Sequence, residues 1–218
     1  MKKELIDNRK DWLIAGLSGM WEDEQDRDRI TKAIQVLDTR YGLERKLARE
    51  PGVAEIIAQM TGRLARSYAR LADLQGKRIL DIACGSNMSK LPASLHIKTP
   101  LGELSVGGSK GYTALFEPWF CRILLELGAE PVGVDFGDLE QEAFTHYRVD
   151  LGKTGALDFL PEASFDAIQD SRLFGSPEFT AEFPDQDDRL KVAEEINRQE
   201  QRLLKKDGII IHSDAAAW

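Results

Sequence analysis

Cysteine and histidine are scarce in this 218-residue chain: two of the first and three of the second. Cys84, Cys121, His96, His146 and His212 do not fall into the close pairs of a zinc site, so no metal site is expected. A reduced, cytoplasmic protein is the expected setting. The N-terminal MKKELIDNRKDW lacks the apolar core of a secretory signal. The longest apolar runs stop far short of the roughly 20 residues a membrane helix needs, so no membrane partner is expected. Positive charge is in deficit, with 29 Lys and Arg against 37 Asp and Glu and a formal net charge of −8. An acidic surface repels phosphate backbones, which disfavours a nucleic-acid partner. Hydrophobic residues make up 42%, enough for a true core. The length suits one α/β domain with an extension, or two small units.

Residues 1–75 read as helices, forming an N-terminal extension or cap. Ile30, Ala33, Ile34, Leu37 and Tyr41 recur at helical spacing, as do Val53, Ile56, Ile57, Met60, Leu64, Tyr68 and Leu71. Pro51 and Gly52 separate the two patterns, and the preceding WEDEQDRDR reads as a solvated charged segment. At Lys77 the character changes, and residues 76–218 read as one domain. RILDIA is a short apolar run without helical period, ending in CGSN: a buried strand feeding a turn. ALFEPWFCRILLELGAE reads as a helix stopped by Gly128, and PVGVDF as a second buried strand. DLEQEAF reads as a short helix, HYRVDL as a third strand and SFDAIQDS as a fourth. A polar helix is expected over about 187–206, ended by Gly208, before a fifth strand, IIIHSD. Strands alternating with helices imply crossover units and a parallel sheet, with a ligand crevice at the carboxyl ends of its strands.

Five segments in order resemble the landmarks of the class I, Rossmann-like, SAM-dependent methyltransferases: RILDIACGS, VGVD, YRVDL, LPEASFDAIQDS and LLKKDGIII. The resemblance covers roughly residues 76–213. It implies S-adenosylmethionine as cofactor, S-adenosylhomocysteine as product, and a set of cofactor-binding positions. These are Asp81, Ala83, Gly85, Ser86, Asn87, Asp135, Phe136, Asp150, Leu151, Asp170 and Ser171. Asp135, at a strand end, has acceptors for both ribose hydroxyls. Asp150 and Leu151 stand where the family clasps adenine, and Asp81 where it orients the methionine end. Gly85 lets the backbone turn sharply and approach a ligand. Ala83 and Asn87 replace the family's first and third glycines; asparagine tolerates left-handed backbone better than most residues.

Fifty-four positions separate Asp81 from Asp135, whereas a dinucleotide fold places its second acid about 20 residues after the glycines. An insertion over 88–112 accounts for the excess. SLHIKT and ELSV alternate apolar and polar around PLG, a hairpin signature. GGSKGYT closes the insert, so Gly107, Gly108 and Gly111 present a second glycine-rich turn before the helix. The insert is expected to act as a mobile cover over the site. Only four residues, Ala215 to Trp218, follow IIIHSD, so five strands are expected without the family's terminal antiparallel pair. The fifth strand is then an open edge, covered by the N-terminal helices or available for oligomer formation.

Methyl transfer from a sulfonium is a direct displacement, catalysed by alignment and exclusion of water. Asp170 is the candidate general base if the acceptor must lose a proton, and Arg172 a candidate for an acceptor carboxylate. Trp12, Trp21, Tyr112, Phe116 and Trp119 are candidates for walling an acceptor pocket; plain packing is the other reading. Cys84 and His212 read as core or strand-end residues. The acceptor is expected to be a small molecule. Two further readings stay open: a SAM-binding regulatory or scaffold subunit without catalysis, and an NAD-dependent oxidoreductase, which the lost third glycine disfavours.

Overall fold

The structure, a computed structural model, describes residues 9–87, 114–170, 173–174, 179 and 182–211, and the backbone of 95–99 and 102–106. Four helices come first: α1 (Arg9–Ser18), α2 (Glu24–Tyr41), α3 (Leu43–Arg49) and α4 (Gly52–Ser67). The charged WEDEQDRDR is not merely a solvated lead-in. Its Asp23 caps α2, accepting from the amides of Gln25 and Asp26, and the residues after it are the first turns of the helix. Asp26 is buried and ion-paired with Arg70. Gly42, at φ 65°, ends α2 in the left-handed region and lets α3 start at once.

The main sheet holds β1 (Arg78–Ile82), β4 (Glu130–Asp135), β5 (Thr145–Arg148), β6 (Phe165–Gln169) and β7 (Leu204–Ile211). All five are parallel, in the order β5-β4-β1-β6-β7. This is a Rossmann-like α/β sheet. β1 lies at its centre, with β4 on one side and β6 on the other, so the strand order reverses about β1. The insert supplies an antiparallel hairpin, β2 (Leu95–Thr99) and β3 (Gly102–Val106), as its alternation predicts. The remainder of the insert, with Gly107, Gly108, Gly111 and Tyr112 and its expected role as a cover, lies outside the described residues. So do Ser171, Arg172 and His212.

Because successive strand residues face opposite ways, β1 feeds two cores. Ile79 joins α5 (Trp119–Glu126) and the four N-terminal helices in one cluster. Leu80 and Ile82 join the other, with Ile168 and the inward residues of α6 (Gln186–Leu203). Among the described residues, no helix is long and apolar enough to cross a membrane.

Three expected elements differ. The helix expected from Ala114 onward breaks at Pro118: Ala114–Phe116 is a short 3-10 turn, and α5 begins only at Trp119. Proline disfavours helical backbone at the residue before it. DLEQEAF is irregular, with Gln141 at φ 60°, because its polar groups bond to neighbouring segments rather than along a helix. Gly208 does not stop the last helix. α6 ends at Leu203 and β7 starts at Leu204, so Gly208 lies inside the strand. The register slips there, with Phe165 opposite Leu204 but Ala167 opposite Ile209. A β-carbon on Gly208 would sit 2.8 Å from Leu204 and 3.1 Å from the Asp166 carbonyl oxygen. It is a bulge glycine, placed where no side chain fits.

An ionic cluster joins the N-terminal helices to the sheet. Arg122 of α5 is 2% exposed. Its guanidinium lies over the rings of Tyr41 (3.9 Å) and Trp119 (4.7 Å). It donates to Glu142 at 2.6 Å and to Glu117, and Glu117 also pairs with Lys46 of α3. The Glu117 and Glu142 side chains are fully buried. Two cations and two carboxylates thus neutralise one another away from water. Removing one member leaves an uncompensated buried charge, a loss of about 3–5 kcal/mol. We expect Arg122→Met to lose that much, read from the midpoint of urea unfolding with an unchanged slope. An unchanged midpoint would show that the cluster contributes no net stability.

Candidate functional site

Four acids line one rim of the sheet. Asp81 lies within β1 near its carboxyl end, and Asp135 ends β4. Asp150 follows β5 by two residues, and Asp170 directly follows β6. Since β5, β4, β1 and β6 are neighbours, the sheet brings together four residues spread over 90 positions of the chain. The rim straddles the point where strand order reverses, the usual place for a ligand crevice in such sheets.

The turn after β1 is built from two left-handed residues, Ala83 (φ 58°) and Gly85 (φ 99°). A β-carbon on Gly85 would land on the carbonyl oxygen of Phe116. The close approach that demands glycine here is therefore made by the chain's own Phe116–Glu117 peptide. That carbonyl accepts from the Ser86 amide at 2.8 Å. Ala83 departs from glycine at a backbone angle that costs an L-residue about 1–2 kcal/mol.

Much of the predicted cofactor set also holds the chain together. Asp135 accepts from the Gly85 amide at 3.0 Å and the Gly137 amide at 2.8 Å, one through each oxygen. The Ser86 hydroxyl donates to the Asp138 carbonyl. Asn87 donates to the Glu140 carbonyl at 2.6 Å and to Glu142 at 2.9 Å, and accepts from the Glu140 amide. The Asn87 side chain thus serves the turn by clamping the loop after β4 against it. Asp150 accepts from the Gly152 amide and pairs with Lys153. Leu151 is buried in the α6-side core, whereas Phe136 is 62% exposed, with Arg148 stacked over it.

Beneath the rim on the α5 side, Asp81 is buried with Cys121 and Gln169, each 3.5 Å from one of its oxygens. Gln169 is 0% exposed, and among the described residues its Oε1 has no hydrogen-bond partner. The sequence reading missed Gln169, because a glutamine inside a strand carries no motif. Cys84 and Cys121 are both buried and free. Cys121 draws the Cys84 thiol down, but burial together with Asp81 and Asp135 outweighs it and holds Cys84 at about 11. Burial, then Cys84 and Asp81, push Cys121 up as well. Both are protonated thiols rather than nucleophiles.

Of the aromatic residues proposed for a pocket wall, Trp12, Trp21 and Trp119 do not converge, and Tyr112 lies outside the described residues. Trp12 is 72% exposed, while Trp21 and Trp119 are buried in the core of the helical side. Trp119 spends its indole N–H on the Ala114 carbonyl. Among the described residues, no group of three or more His, Cys, Asp or Glu side chains is arranged to hold a metal ion. No family model matches the chain, and no curated protein or solved structure matches it.

The two left-handed residues give opposite expectations. Gly85→Ala adds a β-carbon against backbone at a strained angle and should cost about 3 kcal/mol or more. Ala83→Gly relieves a left-handed alanine, offset by the greater freedom of glycine in the unfolded chain, and should gain up to about 1 kcal/mol. Thermal unfolding of the two variants checks both signs; a stabilised Gly85→Ala would disprove the account of the turn.

Proposed function

We propose that the chain binds S-adenosylmethionine at the acidic rim and transfers its methyl group to a small-molecule acceptor. The observation that carries this reading is the row of Asp81, Asp135, Asp150 and Asp170 at the ends of four adjacent strands. Carboxylates accept from ribose hydroxyls and amino groups and attract a sulfonium, whereas they repel a pyrophosphate. The orphan Oε1 of Gln169 beside Asp81 supports the fit, since a buried acceptor without a donor suits an incoming N–H group.

The bound cofactor would supply an electrophilic methyl carbon with a neutral thioether as leaving group. The chain's own part is alignment and exclusion of water. Asp135 and Asp150 would hold the nucleoside, with Phe136 and Leu151 as apolar neighbours, and Asp81 with Gln169 the amino-acid end. Asp170 would take a proton from an acceptor that must lose one. A second reading, cofactor binding without turnover, draws on the many bonds that Ser86, Asn87 and Asp135 already make within the chain. A site so committed to its own fold suits a regulatory subunit as well as an enzyme.

Calorimetric titration with S-adenosylhomocysteine, S-adenosylmethionine and NAD tests the binding. We expect heat from the first two and none from NAD. Asp135→Ala should weaken S-adenosylhomocysteine by roughly 1–3 kcal/mol, the scale of hydrogen bonds to a charged group. Tight NAD binding with no response to either sulfur ligand would overturn the reading. Turnover across a library of small acceptors separates the enzyme from the non-catalytic binder.

A further inference from the structure

Glu200 is a buried acid that neither the rim nor the ionic cluster uses. It lies on the inward face of α6 in one row with Ala193, Ile196 and Leu203, and is 0% exposed. Among the described residues, neither of its carboxylate oxygens has a hydrogen-bond partner. A carboxylate left bare in an apolar setting is far costlier than the neutral acid.

The charged group that Glu200 feels is Asp170, at the end of β6. The other charges on neighbouring elements are engaged elsewhere or exposed. Asp166 of β6 is tied to Lys77, Lys205 and the Arg78 amide. Asp158 accepts from Gln199, and Glu195 from Arg198, Gln199 and the Gly155 amide. Arg202 is spent on the carbonyls of Leu157 and Leu160 and on Gln199. Glu162, Glu194, Lys205, Lys206 and Asp207 are exposed. Among the described residues, Glu200 therefore has no cation to pair with. A carboxyl so buried, with no donor and no cation beside it, keeps its proton.

We propose that Glu200 carries a proton in the folded protein, and that its loss unlatches α6 from the sheet. The step breaks the O–H bond of the Glu200 carboxyl and delivers the proton to solvent. The anion left behind must then reach water, which draws Val192, Ile196 and Leu203 off the core they share with Leu80 and Ile168. The latch does not depend on what the rim binds.

Burial first, and the charge of Asp170 second, push the Glu200 carboxyl from the ordinary 4.5 up to about 8. A folded-state value raised above the unfolded one gives stability that is complete below 4.5 and is lost as pH rises through about 8. Two measurements test the proposal. The infrared carbonyl band of a protonated carboxylic acid should be present in the wild-type protein at neutral pH and should titrate with a midpoint near 8. In Asp170→Asn that midpoint should move down. In Glu200→Gln the band should vanish, and the loss of thermal stability across the same pH range should flatten. No such band at neutral pH in the wild-type protein, or an unchanged pH profile in Glu200→Gln, would overturn the latch. The band and its shift are read without Glu200→Gln, so the test stands if that variant does not fold.

Discussion

Arg122 is the constraint around which the rest is arranged. A guanidinium that is 2% exposed has to be neutralised on every side, and it draws in Glu117 from the turn before α5 and Glu142 from the loop after β4. Tyr41 and Trp119 cover its faces. Glu117 carries the link outward to Lys46 on α3, and Glu142 carries it to Asn87 in the turn after β1. The helical half, the turn before α5, the loop after β4 and the turn after β1 are thereby tied through one desolvated group. Such a cluster adds little net stability over an apolar core of equal volume, yet none of its members can be withdrawn alone. Its contribution is to fix which segments meet.

That arrangement shapes the rim. The turn after β1 and the loop after β4 are held by bonds within the chain, through Ser86, Asn87, Asp135 and the amides around them. Gly85 is required because the Phe116–Glu117 peptide lies against it. The region is therefore organised before any ligand arrives, which lowers the ordering cost of binding. Asp135, Asp150 and Asp170 are partly exposed along it, and Asp81 lies buried beneath. An acidic, pre-ordered rim favours ligands rich in donors or positive charge.

The two faces of the sheet carry different buried polar groups. On the α5 side, Asp81, Gln169 and two protonated thiols lie together beneath the rim. On the α6 side a single acid, Glu200, sits in an otherwise apolar row.

Much of the sheet was legible in the order of the residues alone. Buried strands such as Arg78–Ile82 and Phe165–Gln169 read as apolar runs between turns, and the alternation of Leu95–Thr99 and Gly102–Val106 read as a hairpin. Asp81, Asp135, Asp150 and Asp170 could be named because the segments they end or follow resemble the landmarks of a known family. Where the expectation failed, a distant partner had overridden local preference. DLEQEAF is no helix because Asn87, some 50 positions away, takes its backbone groups. Gly208 is a bulge because β6 lies against it. The sequence by itself determined the strands and the hairpin, since these rest on contacts along the chain. Only the tertiary structure decided that Arg122 meets Glu142, that Ala83 is left-handed and that Glu200 has no partner, because burial and charge pairing depend on residues far apart in sequence.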